Sequence, residues 1–233
     1  MENYKKLIGS ITIITFSYAA SRLLGFFREI LLANWAGVSE ATDTLDLAFI
    51  IPDFLFYLSA GGYLAITLIP IMSEKKKSEL NNYFLSILYG MSLIFVIFSL
   101  ITYSFRFQFA ELLGVTSLDF FVEVFTPIIF SQVFFFVGAI LMSYQYFHDN
   151  FKYAAIAPVV YNSTIIFFGW INSSTPEGTI KGFAIGTLIG SVLGHFLIQI
   201  YGAKRSGLRF YLISPKFIHI KDYITISLPL ILG

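Results

Sequence analysis

The chain has 233 residues, of which 57% are hydrophobic and only 12% are charged. Soluble globular domains carry about 25% charged residues, so this composition excludes a water-soluble enzyme and indicates an integral membrane protein. The net charge of +1 gives no reason to expect a nucleic-acid partner. The chain has no cysteine, and its three histidines are too widely spaced for a zinc site. We therefore expect no metal and no other cofactor.

Long apolar runs follow one another along the chain. A hydrocarbon core of about 30 Å requires about 20 apolar residues in a helix, whereas the strands of membrane barrels are shorter and alternate in polarity. The runs therefore predict an all-α polytopic membrane helix bundle. It has six full helices and the start of a seventh, near 7–36, 44–72, 83–105, 119–147, 154–172 and 181–201, with the seventh beginning near 223.

Basic residues are distributed unequally between the predicted loops. With a cytoplasmic N-terminus, the outer loops contain only Arg106 and Lys181. Because cytoplasmic loops of membrane proteins carry the excess of Lys and Arg, we expect the N-terminus to be cytoplasmic. The inner segments then contain all the other loop cations: Lys5, Lys6, Lys75, Lys76, Lys77, Lys152, Lys204, Arg205, Arg209, Lys216 and Lys221.

The same patterns divide the chain into three parts. We predict a six-helix transmembrane lobe at 1–201, a cytoplasmic basic linker at 202–222 and a truncated start of helix seven at 223–233. The last apolar run is too short to cross a bilayer. We therefore expect the chain to be the N-terminal half of a longer protein.

The first predicted helix carries charged residues at membrane depth, where ionisable groups are costly and indicate functional sites. Arg22, Gly25 and Glu29 are spaced i, i+3, i+7 and share one helix face, which Arg28 flanks. A cation and an anion on one face with a glycine between them indicate the wall of a water-filled cavity. The alternative for Arg28 and Glu29 is a position at the membrane interface, where long side chains reach water.

The second predicted helix carries carboxylates on one face. Asp46, Asp53 and Tyr57 recur at i, i+7 and i+11, and Asp43 precedes them. We expect Asp46 and Asp53 to pair with the arginines of the first helix, either at a substrate site or as a purely structural ion pair. The alternative role for Asp43 is as the N-cap of its helix.

Glycine and proline mark positions where the helices break or pack closely. Pro52 removes a backbone donor in the middle of the second helix, and Gly61 and Gly62 follow it. Broken helices at membrane depth occur where they contact protein or a cavity, and transporters use them at substrate sites. We therefore predict hinge or structural roles for these three residues and for Gly25. On the sixth helix, a glycine at every fourth position predicts close helix packing: Gly182, Gly186, Gly190 and Gly194.

Several segments resemble a known family. The sequence SRLLGFFRE at 21–29 is similar to the first-helix signature of the MurJ/MviN lipid II flippases, which belong to the MOP exporter superfamily. The segments ATD at 41–43 and AFIIPD at 48–53 resemble the second-helix motif of that family. The segment FKYAAIAPVVYN at 151–162 resembles the start of its fifth helix, and LPLILG at 228–233 the opening of its seventh.

The resemblance implies the N-terminal lobe of a two-lobed, MATE-like transporter with no enzymatic activity. It implies a bacterial cytoplasmic (inner) membrane protein whose cationic cavity receives the pyrophosphate and sugars of a polyprenyl-linked substrate by alternating access. Arg22 and Arg28 match the cavity arginines of the family, and Asp43 matches its functional acidic position. A guanidinium suits this role because it binds phosphate bidentately. The implied partners are the lipid-linked saccharide, membrane lipids and a C-terminal lobe.

Three alternatives remain open for the function. The family usually has a basic pair in its second helix where this chain has Phe56 and Tyr57. The first alternative is therefore export of another lipid-linked oligosaccharide, such as an O-antigen, capsule or teichoic-type repeat unit. A membrane-embedded glycosyltransferase is opposed by the short loops and by the lack of an Asp-rich motif. A non-functional truncated fragment is the third, because six helices and a stub cannot form a two-sided pathway.

Overall fold

The computed structural model describes residues 2–59 and 63–232, without the side chains of 2–11, 13, 14, 55–59, 63–66 and 228–232. The regular structure in these ranges is entirely helical, as the sequence predicts. It consists of α1 (Glu2–Trp35), α2 (Glu40–Ser59), α3 (Tyr63–Ser73), α4 (Lys77–Ser104), α5 (Arg106–Leu112), α6 (Leu118–Phe147), α7 (Lys152–Ile171), α8 (Pro176–Arg205) and α9 (Phe217–Leu232).

Among the described residues, four helices are long and apolar enough to cross a membrane: α4, α6, α7 and α8. They agree with the predicted third to sixth spans to within a few residues. The helix α2 carries too much charge to join this set by composition, since its 20 residues include Glu40 and three aspartates.

The structure differs from the predicted spans at two places. The run at 44–72 is helical in its described parts, α2 and α3, and the predicted hinge residues Gly61 and Gly62 lie outside the described residues. The short helix α5 occupies a segment expected to be a loop. The helix α8 continues to Arg205 and α9 already begins at Phe217, which leaves 206–216 as the linker. A helix end that reaches the aqueous boundary can include basic residues, and cations are favourable in its last turn.

Helix α6 lies at the centre of the lobe, against α2, α3, α4 and α8. Its N-terminal half packs with α1, α2 and α8 in one apolar cluster, and its C-terminal half packs with α3, α4 and the end of α8 in another. Helix α1 packs against α7, whereas α2 packs against α6 and α8. In the described residues α1 and α2 therefore do not pack along each other, although a short turn at 36–39 connects them.

The predicted glycine stripe on α8 packs directly against the backbone of α7, which confirms its structural role. A Cβ at Gly186 would lie 2.7 Å from the Cα of Ile165, and a Cβ at Gly194 would lie 2.6 Å from the carbonyl oxygen of Ala157. The glycines at 182 and 190 make equivalent contacts with Phe168 and Tyr161. Without side chains at these positions, the two helices can approach closely over four successive turns.

The linker 206–216 runs along the first half of α4 and is held there by side chains of that helix. Asn81 binds both backbone groups of Arg209: its Nδ2 donates to the carbonyl at 2.9 Å, and its Oδ1 accepts from the N–H at 3.0 Å. The Tyr89 hydroxyl donates to the Tyr211 carbonyl at 3.2 Å, and the backbone N–H of Lys216 donates to Ser86 Oγ at 2.7 Å. The linker therefore has a defined path although it has no regular secondary structure.

We predict that Gly186→Ala destabilises the full-length protein, because its Cβ would meet backbone that cannot move freely. Overpacking of this kind costs about 1–3 kcal/mol. The matched control is Gly25→Ala, whose Cβ would meet nothing within 4 Å and which gains about 1 kcal/mol of helix propensity. The thermal unfolding midpoint of the purified protein should fall for Gly186→Ala alone. Equal midpoints for the two variants would contradict the close packing of α7 and α8.

Single cysteines test the predicted orientation. We expect Ser174→Cys, between α7 and α8, to react with a membrane-impermeant maleimide on intact cells. Glu74→Cys, between α3 and α4, should react only after permeabilisation, because the positive-inside rule puts its basic neighbours in the cytoplasm. Each variant is made in the full-length protein with other cysteines replaced. The reverse pattern would show that the N-terminus is outside.

Candidate functional site

Arg28 is the centre of a polar cluster where α1 meets α7. Its Nη2 and Nε donate to Glu29 Oε1 at 2.6 and 3.1 Å, and its Nη1 donates to Asn162 Oδ1 at 3.4 Å. The amide of Asn162 is in turn fixed by a 2.9 Å hydrogen bond to the Pro158 carbonyl. The side chain of Arg28 is 27% exposed and that of Glu29 is 57% exposed. The guanidinium is thus oriented by two partners but still accessible.

The carboxylates of α2 lie across the space from this cluster. Asp43, Asp46 and Asp53 are all exposed in the lobe. The charge of Arg28 acts on Asp53, and the charge of Glu29 acts on Asp46. The described residues nevertheless contain no ion pair between α1 and α2, so the predicted direct pairing of these aspartates with the arginines is wrong. The physical reason is that α1 and α2 pack on different helices and do not pack along each other.

Arg22 lies apart from the Arg28 cluster, about 9 Å further back along α1 by helix rise. Its Nη2 and Nε donate to the Tyr18 hydroxyl at 2.6 and 3.1 Å, and its guanidinium lies 5.0 Å from the centre of that ring. Arg22 also lines a cavity of about 550 Å³ between α1, α6 and α7. Within the lobe, Arg22 and Arg28 on the predicted stripe therefore have separate partners, Tyr18 and Glu29.

The start of α2 excludes the capping role for Asp43. The helix begins at Glu40, and Ser39 Oγ accepts a hydrogen bond from the Thr42 N–H at 3.3 Å, which is the geometry of an N-cap. Asp43 is instead in the first turn, where the helix dipole favours a carboxylate. Glu40 binds the Thr116 hydroxyl and so ties this end of α2 to the segment before α6.

The predicted structural residues Gly25 and Pro52 have different surroundings. A side chain at Gly25 would project into open space, so packing does not require a glycine there. Pro52 is buried, and α2 continues through it to Ser59. Open space beside Gly25 is compatible with a cavity wall on this face of α1.

Tyr161 belongs to the cluster, and reasoning from the sequence alone did not identify it. The charges of both Arg28 and Asp53 act on it, so it lies near the α1 cation and the α2 carboxylate. Its ring packs against Phe135 and His195, with centroids 5.1 and 5.7 Å apart. The available signal was its position next to Asn162 on α7, which places the two side chains on adjacent faces of one helix.

The described residues contain no group of His, Cys, Asp or Glu side chains that could hold a metal ion. Their polar groups suit the binding of a large polar molecule: a guanidinium for an anion, carboxylates for hydroxyl groups and an amide that fixes the guanidinium. Such exposed charges on membrane helices require water or a polar ligand beside them, because isolated charges in hydrocarbon cost several kcal/mol.

The helical bundle, with four helices in its described part that are long and apolar enough to cross a membrane, defines a polytopic membrane protein. Residues 32–233 match the family model described as "Lipid II flippase MurJ". The chain belongs to this family.

Individual relatives agree with this assignment. The chain is 32% identical over 194 residues to the lipid II flippase MurJ of Thermosipho africanus, an alignment that covers 79% of this chain and 40% of that protein. It is 39% identical over 112 residues to a probable lipid II flippase MurJ of Buchnera aphidicola, covering 47% of this chain and 21% of the relative. The chain thus spans less than half the length of these relatives.

A solved structure described as "Lipid II flippase MurJ, inward closed conformation" has the same fold. The TM-score is 0.76 at 26% sequence identity, and the match covers 95% of this chain and 47% of the solved chain. The all-α architecture predicted from the sequence is therefore confirmed as that of a MurJ lobe.

Thiol chemistry can distinguish water-exposed from lipid-exposed positions in the full-length protein. We predict that Asp53→Cys reacts with a charged methanethiosulfonate reagent, because a water-filled space beside Arg28 allows the thiolate to form. The matched control is Ile97→Cys on α4, which is 48% exposed on an apolar helix and should be inert in hydrocarbon. Equal reactivity at the two positions would contradict an aqueous space between α1 and α2.

Proposed function

We propose that this chain is the N-terminal lobe of a flippase that moves lipid II, a polyprenyl-pyrophosphate-linked cell-wall precursor, across the bacterial cytoplasmic membrane. The proposal rests on family membership and on one structural observation. That observation is the accessible Arg28 guanidinium, oriented by Glu29 and Asn162, with exposed carboxylates of α2 near enough for their charges to interact with this pair. Transport, not catalysis, is the activity that membership of this family favours.

In this proposal the pyrophosphate of the substrate binds Arg28 and competes with Glu29 for its N–H groups. A planar guanidinium can exchange one bidentate oxyanion partner for another with little rearrangement. Asn162 keeps the guanidinium in place during this exchange, because it contacts a different nitrogen, Nη1. Asp46 and Asp53 accept hydrogen bonds from sugar hydroxyls, and Asp43 lies at the mouth of the cavity.

Arg22 provides a second phosphate contact in the proposed path. Its Tyr18 partner is neutral and exposed, so Arg22 keeps its full positive charge available for the substrate. Together the two arginines would guide the anionic head along α1. Gly25, in open space between them, leaves room for the substrate.

Alternating access requires a second wall, which we assign to the C-terminal lobe of the full-length protein. In that protein we place the N-terminus and the basic linker in the cytoplasm, following the distribution of Lys and Arg. Pro52, with Gly61 and Gly62 beyond it, provides the proposed flexible positions of the α2–α3 segment.

We predict that Arg28→Ala in the full-length protein abolishes complementation of a strain depleted of its lipid II flippase. The physical reason is that the pyrophosphate loses its charge-assisted partner, and hydrogen bonds to charged groups contribute about 1.5–3 kcal/mol each. Arg28→Lys keeps the charge but not the bidentate geometry, so it should support slower growth. Protein levels are measured by immunoblot, and wild-type growth of the alanine variant would overturn the role of Arg28.

Arg22 has a matched control within the same chain. Arg205 donates to the hydroxyl of Tyr201, four residues earlier, at 3.0 and 2.8 Å. Arg22 and Tyr18 have the same spacing of four residues. Arg22→Ala should abolish complementation, whereas Arg205→Ala at the end of α8 should not. If both variants grow normally, the Arg–Tyr pair on α1 has no part in transport.

A further inference from the structure

A second polar cavity lies at the basic end of the lobe, away from the Arg28 cluster. It has a volume of about 760 Å³ and is bounded by the end of α3, the start of α4, the end of α6 and the linker. Three basic residues line it: Lys75 and Lys77 from the α3–α4 junction, and Arg209 from the linker. His148, which follows α6, completes the polar rim.

The three basic residues have no carboxylate partner. In the described part of the chain, ion pairs within 4 Å occur between Arg28 and Glu29 and between Lys181 and Glu123. Lys75 instead places its Nζ 4.5 Å from the centre of the Tyr83 ring, and no Asp or Glu is among the residues that line the cavity. The cavity therefore has an excess of positive charge and can accommodate an anion without first breaking an ion pair.

The cavity wall is held in place by hydrogen bonds, so it does not depend on a flexible loop. The two hydrogen bonds from Asn81 fix the backbone of Arg209 on α4, and the Tyr211 hydroxyl binds Asn82. On the opposite wall, His148 Nδ1 is 2.9 Å from the Tyr144 carbonyl. These contacts bring a linker cation next to two cations that lie far from it in sequence.

The floor of the cavity is apolar while its rim is charged. Met72, Leu80 and Tyr144 are buried and line its inner side, whereas Lys77 and Arg209 are exposed. A ligand that fits both surfaces has an anionic group attached to an apolar part. Basic pockets of this kind between membrane helices bind the headgroups of anionic lipids.

We propose that this cavity binds a phosphate group, and that its source is the headgroup of an anionic membrane phospholipid. The phosphodiester lies between Lys75, Lys77 and Arg209, and the glycerol and upper acyl carbons lie on Met72 and Leu80. Binding there joins the linker to the ends of α3 and α4. This site is independent of the proposed transport function, since it shares no residue with the Arg28 cluster.

The test compares two triple variants of the full-length protein by titration with phosphatidylglycerol, followed by native mass spectrometry. The pocket variant is Lys75→Gln/Lys77→Gln/Arg209→Gln. The control variant, Lys152→Gln/Lys204→Gln/Arg205→Gln, removes the same charge from the same end of the lobe but none of its residues lines the cavity. At about fivefold per basic residue, phosphatidylglycerol binding should weaken by about a hundredfold in the pocket variant and little in the control.

Further arms identify the ligand. Phosphatidylcholine should bind more weakly than phosphatidylglycerol, since its trimethylammonium group is repelled by the lysines. The variant Lys75→Arg/Lys77→Arg keeps the positive charges, so it should show the preference for the anionic lipid that the pocket variant loses. Pocket-dependent binding of inorganic phosphate but not of phosphatidylglycerol would support a phosphate site and overturn the lipid as its source. Equal weakening in the pocket and control variants would overturn the site, because it would show that binding depends only on the overall charge of this end.

Discussion

The cost of removing a charge from water is the constraint on which this lobe depends. A charged side chain in hydrocarbon is unfavourable by several kcal/mol unless it is paired or hydrated, yet α1 and α2 carry Arg28, Glu29, Asp46 and Asp53. The fold meets this constraint in two ways. It pairs Arg28 with Glu29 and with Asn162 of α7, and it keeps α1 and α2 apart on different helices, where Asp46 and Asp53 stay exposed on the lobe.

That separation depends on how the other helices pack. The glycines of α8 allow α7 to lie directly against it, and α6 packs centrally against α2, α3, α4 and α8. With α1 attached to α7 and α2 attached to α6 and α8, the two charged helices do not pack along each other. The close-packed glycine stripe thus helps to position both charged helices, although none of its residues carries a charge.

In the two proposals above, basic residues have different roles in the Arg28 cluster and in the cavity at the basic end of the lobe. Arg28 is single, half-buried and oriented by a fixed amide, which suits specific recognition of one anionic group. Lys75, Lys77 and Arg209 surround a wider cavity near the predicted membrane boundary, where several cations act together and the apolar floor adds contact area. The linker contributes only to this second site, because the Asn81 side chain fixes the linker backbone on α4.

The sequence by itself determined the all-α class, four spanning helices to within a few residues, the glycine stripe and the family resemblance, since hydrophobic runs and local motifs are properties of neighbouring residues. It also identified Arg28 and the acidic residues as functional candidates. Only the tertiary structure decided that Arg28 contacts Asn162, that Asp46 and Asp53 remain unpaired with arginine, that Tyr161 lies near both Arg28 and Asp53, and that the linker brings Arg209 to the cavity that Lys75 lines. These contacts join residues far apart in the chain, and they follow from which helices pack together, which no local pattern specifies.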